Sequence, residues 1–180
     1  MNIQIIKDTS HPLYHAFLSI YETSFPLFEQ RTSTQIKEAF KDNRYHLDIY
    51  MEDDNEPVGL IAYWMFPTYI YVEHFAINQP KRGQGKGSIV LDAFIKQAEK
   101  GGRIVILEIN PPVDRKRMLR LHFYKRLGMV ENPFIHHHPP YREGFKAHEL
   151  RIMSAPNKLI QEQYKIFLDD LKNVVMNRKM

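Results

Sequence analysis

Lys81-Arg82-Gly83-Gln84-Gly85-Lys86-Gly87-Ser88 is the stretch that decides the fold of this chain. The segment before it, residues 70–77, is rich in β-branched and aromatic residues and therefore predicts a strand. The segment after it, residues 89–100, carries apolar residues at helical spacing and predicts a helix. The stretch is therefore a glycine-rich turn that joins a strand to a helix.

The glycines of this turn predict an anion site. Glycine has no Cβ, so a ligand can approach the main chain closely at Gly83, Gly85 and Gly87. The first N–H groups of the following helix have no partner inside the helix and lie at the positive end of its dipole. Arg82 and Lys86 add positive charge on the same side. A phosphate group is the expected ligand, although a surface turn that binds nothing can have the same composition.

Two common phosphate-binding patterns do not fit this turn. A Walker loop requires Gly-Lys followed by Ser or Thr, but here Gly85-Lys86 is followed by Gly87. A dinucleotide-binding turn requires a third glycine at the position of Ser88. The pattern that fits is Arg/Gln-x-x-Gly-x-Gly/Ala, which is met by Arg82, Gly85 and Gly87.

A second segment supports the same interpretation. Residues 123–129 read Phe-Tyr-Lys-Arg-Leu-Gly-Met at the end of a predicted helix. The turn resembles the acyl-CoA pyrophosphate loop of the GNAT N-acetyltransferase superfamily, and residues 123–129 resemble the family's Phe/Leu-Tyr-x-x-x-Gly-Phe segment. The order of the predicted elements also resembles that family over about residues 3–153. The resemblance implies acetyl-CoA as the co-substrate.

The remaining pattern predicts an α/β (α+β) fold. Strands are predicted at residues 3–7, 45–51, 58–66, 70–77, 104–109 and 148–153, and helices at 14–23, 33–41, 89–100, 114–127 and from 157 onward. Short links between the second, third and fourth strands predict an antiparallel meander, and the helix between the fourth and fifth strands makes those two parallel. The resemblance implies a GNAT-like mixed, mostly antiparallel central sheet with helices on both faces and a splayed parallel strand pair that forms the acyl-CoA cleft.

The length of the chain suits one domain. We expect residues 1–155 to form the GNAT N-acetyltransferase domain and residues 156–180 to add a C-terminal helix that docks on it, because the helix carries an apolar stripe. Asp114 and Asn157 are predicted to cap the last two helices. The buried edge of the helix at 114–127 is predicted to contain Leu119, Phe123 and Leu127.

Composition narrows the class of protein. The chain has no cysteine, which excludes a disulfide scaffold, a thiolate metal site and a cysteine nucleophile. We find no signal segment and no apolar run long enough to cross a membrane, so we expect a cytoplasmic protein without a membrane partner. The net charge of +4 and the pI of about 9.2 suit nucleic acid and a cofactor with several phosphates equally, so charge alone does not distinguish them.

The resemblance implies how acetyl-CoA is held. The main chain of Phe75, Ala76 and Ile77 would bond the pantetheine arm and the acetyl carbonyl. Residues 82–88 would bind the pyrophosphate, namely Arg82, Gly83, Gln84, Gly85, Lys86, Gly87 and Ser88. Many family members carry an asparagine seven residues before the tyrosine that corresponds to Tyr124, but this chain has Arg117 there. The alternatives are that the contact is lost, that Arg117 reaches the adenosine phosphate instead, or that Asn110 replaces the missing contact.

Two residues are the predicted catalytic groups. An alkyl ammonium must lose a proton before it attacks a thioester, and Glu73 is the candidate base because an apolar strand setting would raise its pKa toward neutral. The alternatives are that Glu73 faces solvent or pairs with a lysine, or that a bulge brings His74 to its position. Tyr124 is the candidate acid for the leaving thiolate, and the alternative is that it is a core aromatic.

The acceptor is expected to bind opposite the cofactor. The candidate residues are Phe25, Phe28, Glu29 and Arg31, which lie between the first two helices, and Tyr141. No metal is expected at His136-His137-His138, because only the first and third histidines share a strand face and no acidic pair lies beside them in sequence. A loop beside the acceptor pocket, with Tyr141, is the interpretation we adopt for this segment.

These patterns predict an N-acetyltransferase, an acyltransferase that moves an acetyl group from acetyl-CoA to a primary amine by direct attack in a ternary complex. The expected partner is a small-molecule or peptide amine rather than nucleic acid. The alternative is a catalytically silent CoA-binding or nucleic-acid-binding module on the same fold. Pairing of two copies through an edge strand or the last helix, as a homodimer, is left open.

Overall fold

The computed structural model describes residues 1–53 and 55–177. Its strands are β1 (Asn2–Ile6), β2 (Tyr45–Met51), β3 (Pro57–Met65), β4 (Tyr69–Ile77), β5 (Ile104–Ile109), β6 (Val130–Glu131), β7 (His136–His138) and β8 (His148–Ala155). Its α-helices are α1 (Tyr14–Ser24), α2 (Ser33–Ala39), α3 (Lys86–Lys100), α4 (Arg115–Arg126) and α5 (Gln161–Asp170), and a π-helical turn, Leu171–Val175, continues α5. All the strands and helices predicted from the sequence are present, whereas β6 and β7 have no counterpart in the prediction.

The strands form one mixed sheet. Its order is β1-β2-β3-β4-β5-β8-β6, and β7 pairs with β8 beside this path. Among the described strands, β4 and β5 are the one parallel pair, because α3 carries the chain back across the sheet between them. The predicted fold class, a mostly antiparallel mixed sheet with one parallel pair, is confirmed.

The parallel strands β4 and β5 are paired over only part of their length. Their register runs from Tyr69 opposite Ile104 to Val72 opposite Leu107. The second half of β4, which continues to Ile77, has no partner in β5, while β5 stays paired with β8 to its last residue. The two strands therefore separate toward their carboxyl ends and leave a cleft between them.

Helices cover both faces of the sheet, as predicted. On one face, α1, α2 and α5 contribute Phe17, Ile36 and Phe167 to a core that includes the large aromatic side chains of β3 and β4. On the other face, α3 and α4 contribute Leu91 and Leu121 to a second core. Because a helix layer lies on each side, the middle strands are buried on both faces, which explains the nearly continuous apolar sequence of β3.

The C-terminal helix packs on the first core. The Phe167 ring lies 5.2 Å from the Tyr71 ring, measured between centroids, and the Tyr69 hydroxyl donates to Asp170 Oδ2 at 2.6 Å. The division of the chain after residue 155 stays a prediction, and residues 178–180 of the predicted C-terminal segment lie outside the described range. No helix in the described part of the chain has both the length and the hydropathy to span a bilayer.

The predicted helix details are partly wrong. Asp114 caps α4, since its Oδ1 accepts a hydrogen bond from the Arg117 N–H at 2.8 Å. Asn157 does not cap α5, which begins four residues later, and Leu119 is 56% exposed rather than buried. The core-facing residues of α4 are Leu121 and Tyr124. Leu121 is two positions from Leu119, and residues at that spacing point to nearly opposite sides of a helix.

Candidate active site

The cleft between β4 and β5 has a volume of about 820 Å³. Three of the predicted cofactor residues, Phe75, Ala76 and Ile77, line it with the unpaired half of β4. The loop after α1 forms one wall, and α4 forms another. A strand whose outer edge is unpaired presents free N–H and C=O groups, so this half of β4 can hydrogen-bond an extended ligand.

A β-bulge shapes β4 at the floor of the cleft. His74 lies opposite Ala62 and Val72 lies opposite Tyr63, so Glu73 is an extra residue with no partner in β3. A bulge breaks the alternation of side chains, and both Glu73 and His74 consequently lie on the first-core face. The bulge considered from the sequence is therefore present, and it places the two side chains next to each other rather than exchanging them.

The Glu73 carboxylate is fully paired. Its Oε1 accepts from Arg31 Nε at 2.7 Å and from the Tyr141 hydroxyl at 3.0 Å, and its Oε2 accepts from Trp64 Nε1 at 2.7 Å. Burial alone would raise the pKa of Glu73, but the charge of Arg31 and the hydrogen bonds outweigh it and lower the pKa. The expectation that an apolar setting raises the pKa of Glu73 is wrong, because the strand setting includes the buried guanidinium of Arg31.

Arg31 does not reach the cleft. Its side chain is 7% exposed, and besides Glu73 it donates from Nη2 to the main-chain oxygen of Val175 at 2.7 Å. The predicted substrate-binding role of Arg31 is therefore not matched by its position, since the guanidinium is used inside the protein. Arg31 instead connects the loop before α2 with β4, through Glu73, and with the turn after α5, through Val175.

His74, which lies beside Glu73, is a hydrogen-bond donor to the main chain. Its Nε2 lies 2.8 Å from the main-chain oxygen of Glu29, and because a carbonyl can only accept, Nε2 carries the hydrogen. Its ring also packs edge-on against Tyr21 and Phe25, at 4.9 and 4.8 Å between centroids. Burial lowers the pKa of His74, which is 4% exposed, so the ring is neutral at physiological pH.

Tyr124 lies in the cleft wall as predicted. It is 8% exposed, and no described residue forms a hydrogen bond with its hydroxyl. Burial raises the pKa of Tyr124 to about 12, although the charge of Arg120 opposes the shift. The hydroxyl is therefore protonated at neutral pH and able to donate. The alternative interpretation, a core aromatic, is also partly met, since the ring packs at 5.2 Å from Phe123.

The glycine-rich turn has the backbone shape that an anion site needs. Gly83 and Gly85 have positive φ angles of 75° and 73°, which L side chains rarely adopt. The first hydrogen bond into α3 joins Ile89 N–H to Gly85 O at 3.3 Å, so the N–H groups of Lys86, Gly87 and Ser88 have no partner inside the helix. These three groups lie at the positive end of the helix dipole.

The two cations of the turn behave differently. Arg82 lines the cleft and donates to Ile77 O at 2.8 Å and to Ser24 Oγ at 2.9 Å. Lys86 instead forms a short ion pair with Glu52, which also accepts from Lys81 Nζ at 2.5 Å. The expectation that Lys86 adds its side-chain charge to the anion site is therefore not met, because Glu52 neutralises it.

Asn110 and Arg117 both line the cleft near the start of α4. Asn110 Oδ1 accepts from Arg120 Nη1 at 3.2 Å, and its Nδ2 donates to Glu29 Oε1 at 3.4 Å. Arg117 Nε lies 3.5 Å from Asp114, so its charge is shared with the helix cap. The structure thus brings both candidates for the missing family asparagine to the cleft without choosing between them.

The predicted acceptor residues other than Arg31 line the opposite side of the cleft. Phe25, Phe28, Glu29 and Tyr141 all contribute to it. Phe28 packs edge-on against His148 on β8, at 5.4 Å between ring centroids. This side therefore combines aromatic surface with one carboxylate, a composition that suits an organic cation.

The carboxylate of Glu108 was missed in the sequence analysis, and His136 and His138 were considered there only as a metal site and as part of a loop beside the acceptor pocket. Glu108 lies on β5 where it leaves β4, and its carboxylate contacts His136, His138 and the Tyr71 hydroxyl. His136 and His138 share a face of β7, as predicted, but an acidic residue does lie beside them. The spacing of His136 and His138, two positions apart, was the signal available in the sequence. The contact of these histidines with Glu108 depends on the pairing of both β7 and β5 with β8. No group of three potential ligands is arranged for a metal ion in the described range.

Residues 13–129, more than half of the chain, match the model of the acetyltransferase (GNAT) family. YjbC of Bacillus subtilis (strain 168), which is provisionally named an acetyltransferase, is 26% identical over 104 residues that cover 57% of this chain and 50% of YjbC, so the chain spans about half the length of this curated relative. A solved structure from Bacteroides thetaiotaomicron, provisionally assigned to the GNAT acetyltransferases, is 31% identical with a TM-score of 0.87 and covers 99% of this chain and 100% of its own.

A more distant solved structure, an aminoglycoside 6′-N-acetyltransferase complexed with coenzyme A, is 13% identical with a TM-score of 0.61 and covers 86% of this chain and 96% of its own. At that identity the likeness shows the fold alone. The family model spans α1 to the end of α4, which includes the separating strands, the glycine-rich turn and the Tyr124 helix. With this match and with the geometry of the cleft, the chain belongs to the GNAT family of acetyltransferases.

Proposed function

We propose that this protein is an N-acetyltransferase that moves an acetyl group from acetyl-CoA to a primary amine of a small molecule or peptide by direct attack in a ternary complex. The observation that carries the proposal is the separation of β4 from β5 after Val72 and Leu107, which leaves one edge of β4 free along a cleft. An extended, amide-containing arm such as pantetheine can add to that edge as a further strand would.

The residues of the cleft and of the glycine-rich turn beside it fit acetyl-CoA from end to end. The N–H groups of Lys86, Gly87 and Ser88 suit the pyrophosphate, and Arg82 adds a cation on the cleft side of the turn. The free edge at residues 75–77 suits the pantetheine amides and the acetyl carbonyl. Lys116, Arg117 and Arg120 give the α4 rim a positive charge that suits the remaining phosphate.

Tyr124 is the group best placed to protonate the leaving thiolate. Its hydroxyl lines the cleft with no described partner, and because burial raises the pKa of Tyr124 to about 12, the hydroxyl is protonated at neutral pH and can donate to the sulfur as negative charge develops there. Glu73, the other predicted catalytic residue, is better explained as a support. A carboxylate with three donors and a lowered pKa is a weak proton acceptor at neutral pH.

Cofactor binding is tested first by thermal unfolding with and without acetyl-CoA, on wild type, Gly85→Glu and Gly102→Glu. Gly102 is the matched control, since it also has a positive φ angle of 70° and open space at its Cβ but lies at the far end of α3. Ligand at 100 times its dissociation constant adds about 2.7 kcal/mol of stability. We expect that gain in wild type and Gly102→Glu and its loss in Gly85→Glu. The absence of any gain in wild type would overturn the proposal.

Catalysis is then tested by release of free thiol from acetyl-CoA in the presence of primary amines. The panel should include spermidine, an aminoglycoside and a peptide with an N-terminal alanine, because structural neighbours are named as acetyltransferases of these substrates. Amine-dependent thiol release supports the proposal. Stabilisation by acetyl-CoA without thiol release from any amine would favour the catalytically silent CoA-binding module.

A further inference from the structure

His138 carries an unpaired polar atom in the wall of the cleft. Its side chain is 2% exposed, and its Nε2 has no hydrogen-bond partner in the described part of the chain. The nearest carboxylate oxygen, Glu108 Oε2, lies 3.7 Å away, which is beyond hydrogen-bond distance. A buried polar atom without a partner costs about 1–3 kcal/mol, so it calls for a ligand or a proton.

The hydrogen on the His138 ring is located by its other contact. Nδ1 lies 2.6 Å from the main-chain oxygen of Pro139, and since that oxygen only accepts, Nδ1 must carry the hydrogen. In the neutral ring, Nε2 therefore has a free lone pair. Nε2 lies 3.7 Å from Glu108 Oε2, and its lone pair is available to accept either a hydrogen bond or a proton.

Glu108 is also an acceptor. Its Oε2 accepts from the Tyr71 hydroxyl at 2.6 Å, and its Oε1 is in short contact with His136 Nε2. Burial alone would raise the pKa of Glu108, but the positive charges of His138 and His136 when protonated, and the hydrogen bonds from His136 and the Tyr71 hydroxyl, lower it to about 2, so the carboxylate is ionised. His136 Nε2 carries a hydrogen because the ionised Glu108 carboxylate only accepts, and its Nδ1 lies 3.0 Å from the Tyr164 hydroxyl.

The result is two acceptors, His138 Nε2 and Glu108 Oε2, that face each other without a donor between them. We propose that this pair binds the ammonium group of the acceptor substrate, with Glu108 holding its charge and His138 Nε2 taking its proton. This inference rests on the proposed N-acetyltransferase function and adds the residues that select and activate the amine. Both residues line the same cleft as Tyr124 and the free edge of β4.

The proton and bond changes balance as follows. The ammonium gives one proton to His138 Nε2, directly or through one water molecule, and the neutral amine nitrogen then attacks the thioester carbonyl carbon. The C–N bond forms, the C–S bond breaks with its electron pair on sulfur, and Tyr124 gives its proton to the thiolate. The nitrogen loses a second proton, which restores Tyr124, and His138 releases its own to solvent. The net products are the amide, free CoA thiol and one proton.

His138 is better placed than His74 to take the proton, although both line the cleft. The carboxylate next to His74 is Glu73, which is already paired with Arg31, and burial lowers the pKa of His74. Glu108 has no such cation among its described partners, so it can stabilise the imidazolium that forms on His138. The titratable groups that surround the His138 ring are Glu108, His136, His148, His74, Tyr141, Tyr71 and Glu29.

The test is the pH dependence of kcat/KM for the amine that releases most thiol, in wild type, His138→Asn and His137→Asn. Asparagine retains a donor near the Nδ1 position, so the bond to Pro139 O is kept while Nε2 is removed. His137 is the matched control, because it lies on the same strand with an exposed side chain. A structural role would lower the rate equally at every pH, whereas loss of a base changes the shape of the profile.

For His138→Asn we expect at least a 100-fold loss of kcat/KM at pH 7, with the rate rising until the amine itself loses its proton, and unchanged stabilisation by acetyl-CoA. The kcat/KM of wild type and of His137→Asn should reach its plateau at a lower pH.

Glu108→Gln should raise KM for the amine without changing KM for acetyl-CoA. A His138→Asn profile parallel to that of wild type, or a changed profile in His74→Asn instead, would overturn the inference. If wild type acetylates no amine, the proposed function fails first.

Discussion

Arg31 Nε lies 2.7 Å from Glu73 Oε1, and this buried ion pair joins the loop before α2 to the bulge of β4. The side chains are 7% and 0% exposed. The guanidinium also lies over the Trp64 and Tyr141 rings, at 5.7 and 5.6 Å from their centroids, and bonds the Val175 oxygen. Four parts of the chain that are distant in sequence thus meet at Arg31, where they fix the position of β4.

Replacing Arg31 by methionine should destabilise the protein strongly. Methionine fills much of the space but leaves the Glu73 carboxylate buried without its cation, and breaking such a pair typically costs about 3–5 kcal/mol. The measurement is the free energy of unfolding in urea. Lys41→Met is the control, since Lys41 is 69% exposed in its pair with Glu38 and should lose about 0–1 kcal/mol. Equal losses in the two variants would contradict the structural role of the buried pair.

Replacing Tyr124 by phenylalanine should slow acetyl transfer while leaving cofactor binding intact. The substitution removes the hydroxyl that lines the cleft, and a general acid is worth about 10²–10⁴-fold in rate. The measurement is kcat for thiol release, together with thermal stabilisation by acetyl-CoA. Tyr50→Phe is the control, because Tyr50 is 5% exposed in the second core and does not line the cleft. A kcat for Tyr124→Phe within twofold of wild type would exclude the acid role.

The local parts of this site could be predicted from the sequence. The glycines of the turn, the strand before it and the helix after it are neighbours along the chain, so composition and periodicity are sufficient to place them. Tyr124 was indicated by the resemblance of residues 123–129 to a short segment of the family. For Asp114, a polar residue just before an amphipathic run was enough to predict the cap.

The pairing of distant charges could not be predicted. Glu73 and Arg31 are 42 positions apart, and Glu108 and His136 are 28 positions apart, so neither pair has a sequence signal. The bulge at Glu73 also depends on the register between β3 and β4 rather than on a local motif. The sequence therefore identified Glu73 and Tyr124 as side chains that could do chemistry but not Glu108, and tertiary contacts decide which of these side chains already have a partner.

Asp48→Asn should stabilise the protein at high pH and have no effect at low pH. Asp48 on β2 is 8% exposed, its Oδ1 has no partner within residues 1–53 and 55–177, and its Oδ2 accepts from the Tyr63 hydroxyl at 3.3 Å. Burial raises the pKa of Asp48 to about 6, so between about pH 4 and 6 the folded protein holds a proton that the unfolded chain has lost. Stability therefore falls as the pH rises through that window.

Asparagine resembles the protonated carboxyl and cannot ionise, so the variant should gain on the order of 2 kcal/mol over wild type at pH 8 and close to none at pH 4. The measurement is the free energy of unfolding at both values. Asp92→Asn is the control, since Asp92 is 43% exposed on α3 and should show no pH-dependent gain of this kind. A gain for Asp48→Asn that is the same at both pH values would show that burial of the charge is not the cause.

Gly59→Ala should weaken both the fold and the binding of acetyl-CoA. A Cβ at Gly59 would lie 2.5 Å from the main-chain oxygen of Ala76, so β3 and β4 must move apart next to the free edge that faces the cleft. Overpacking of this kind costs about 1–3 kcal/mol, and the displacement would shift the groups at residues 75–77 that are proposed to bond the pantetheine arm. Gly101→Ala is the control, because the nearest atom there is the end of the flexible Arg103 side chain at 3.2 Å. Thermal unfolding with acetyl-CoA should show a smaller gain for Gly59→Ala than for Gly101→Ala, and equal gains would show that β4 does not bind the cofactor at this point.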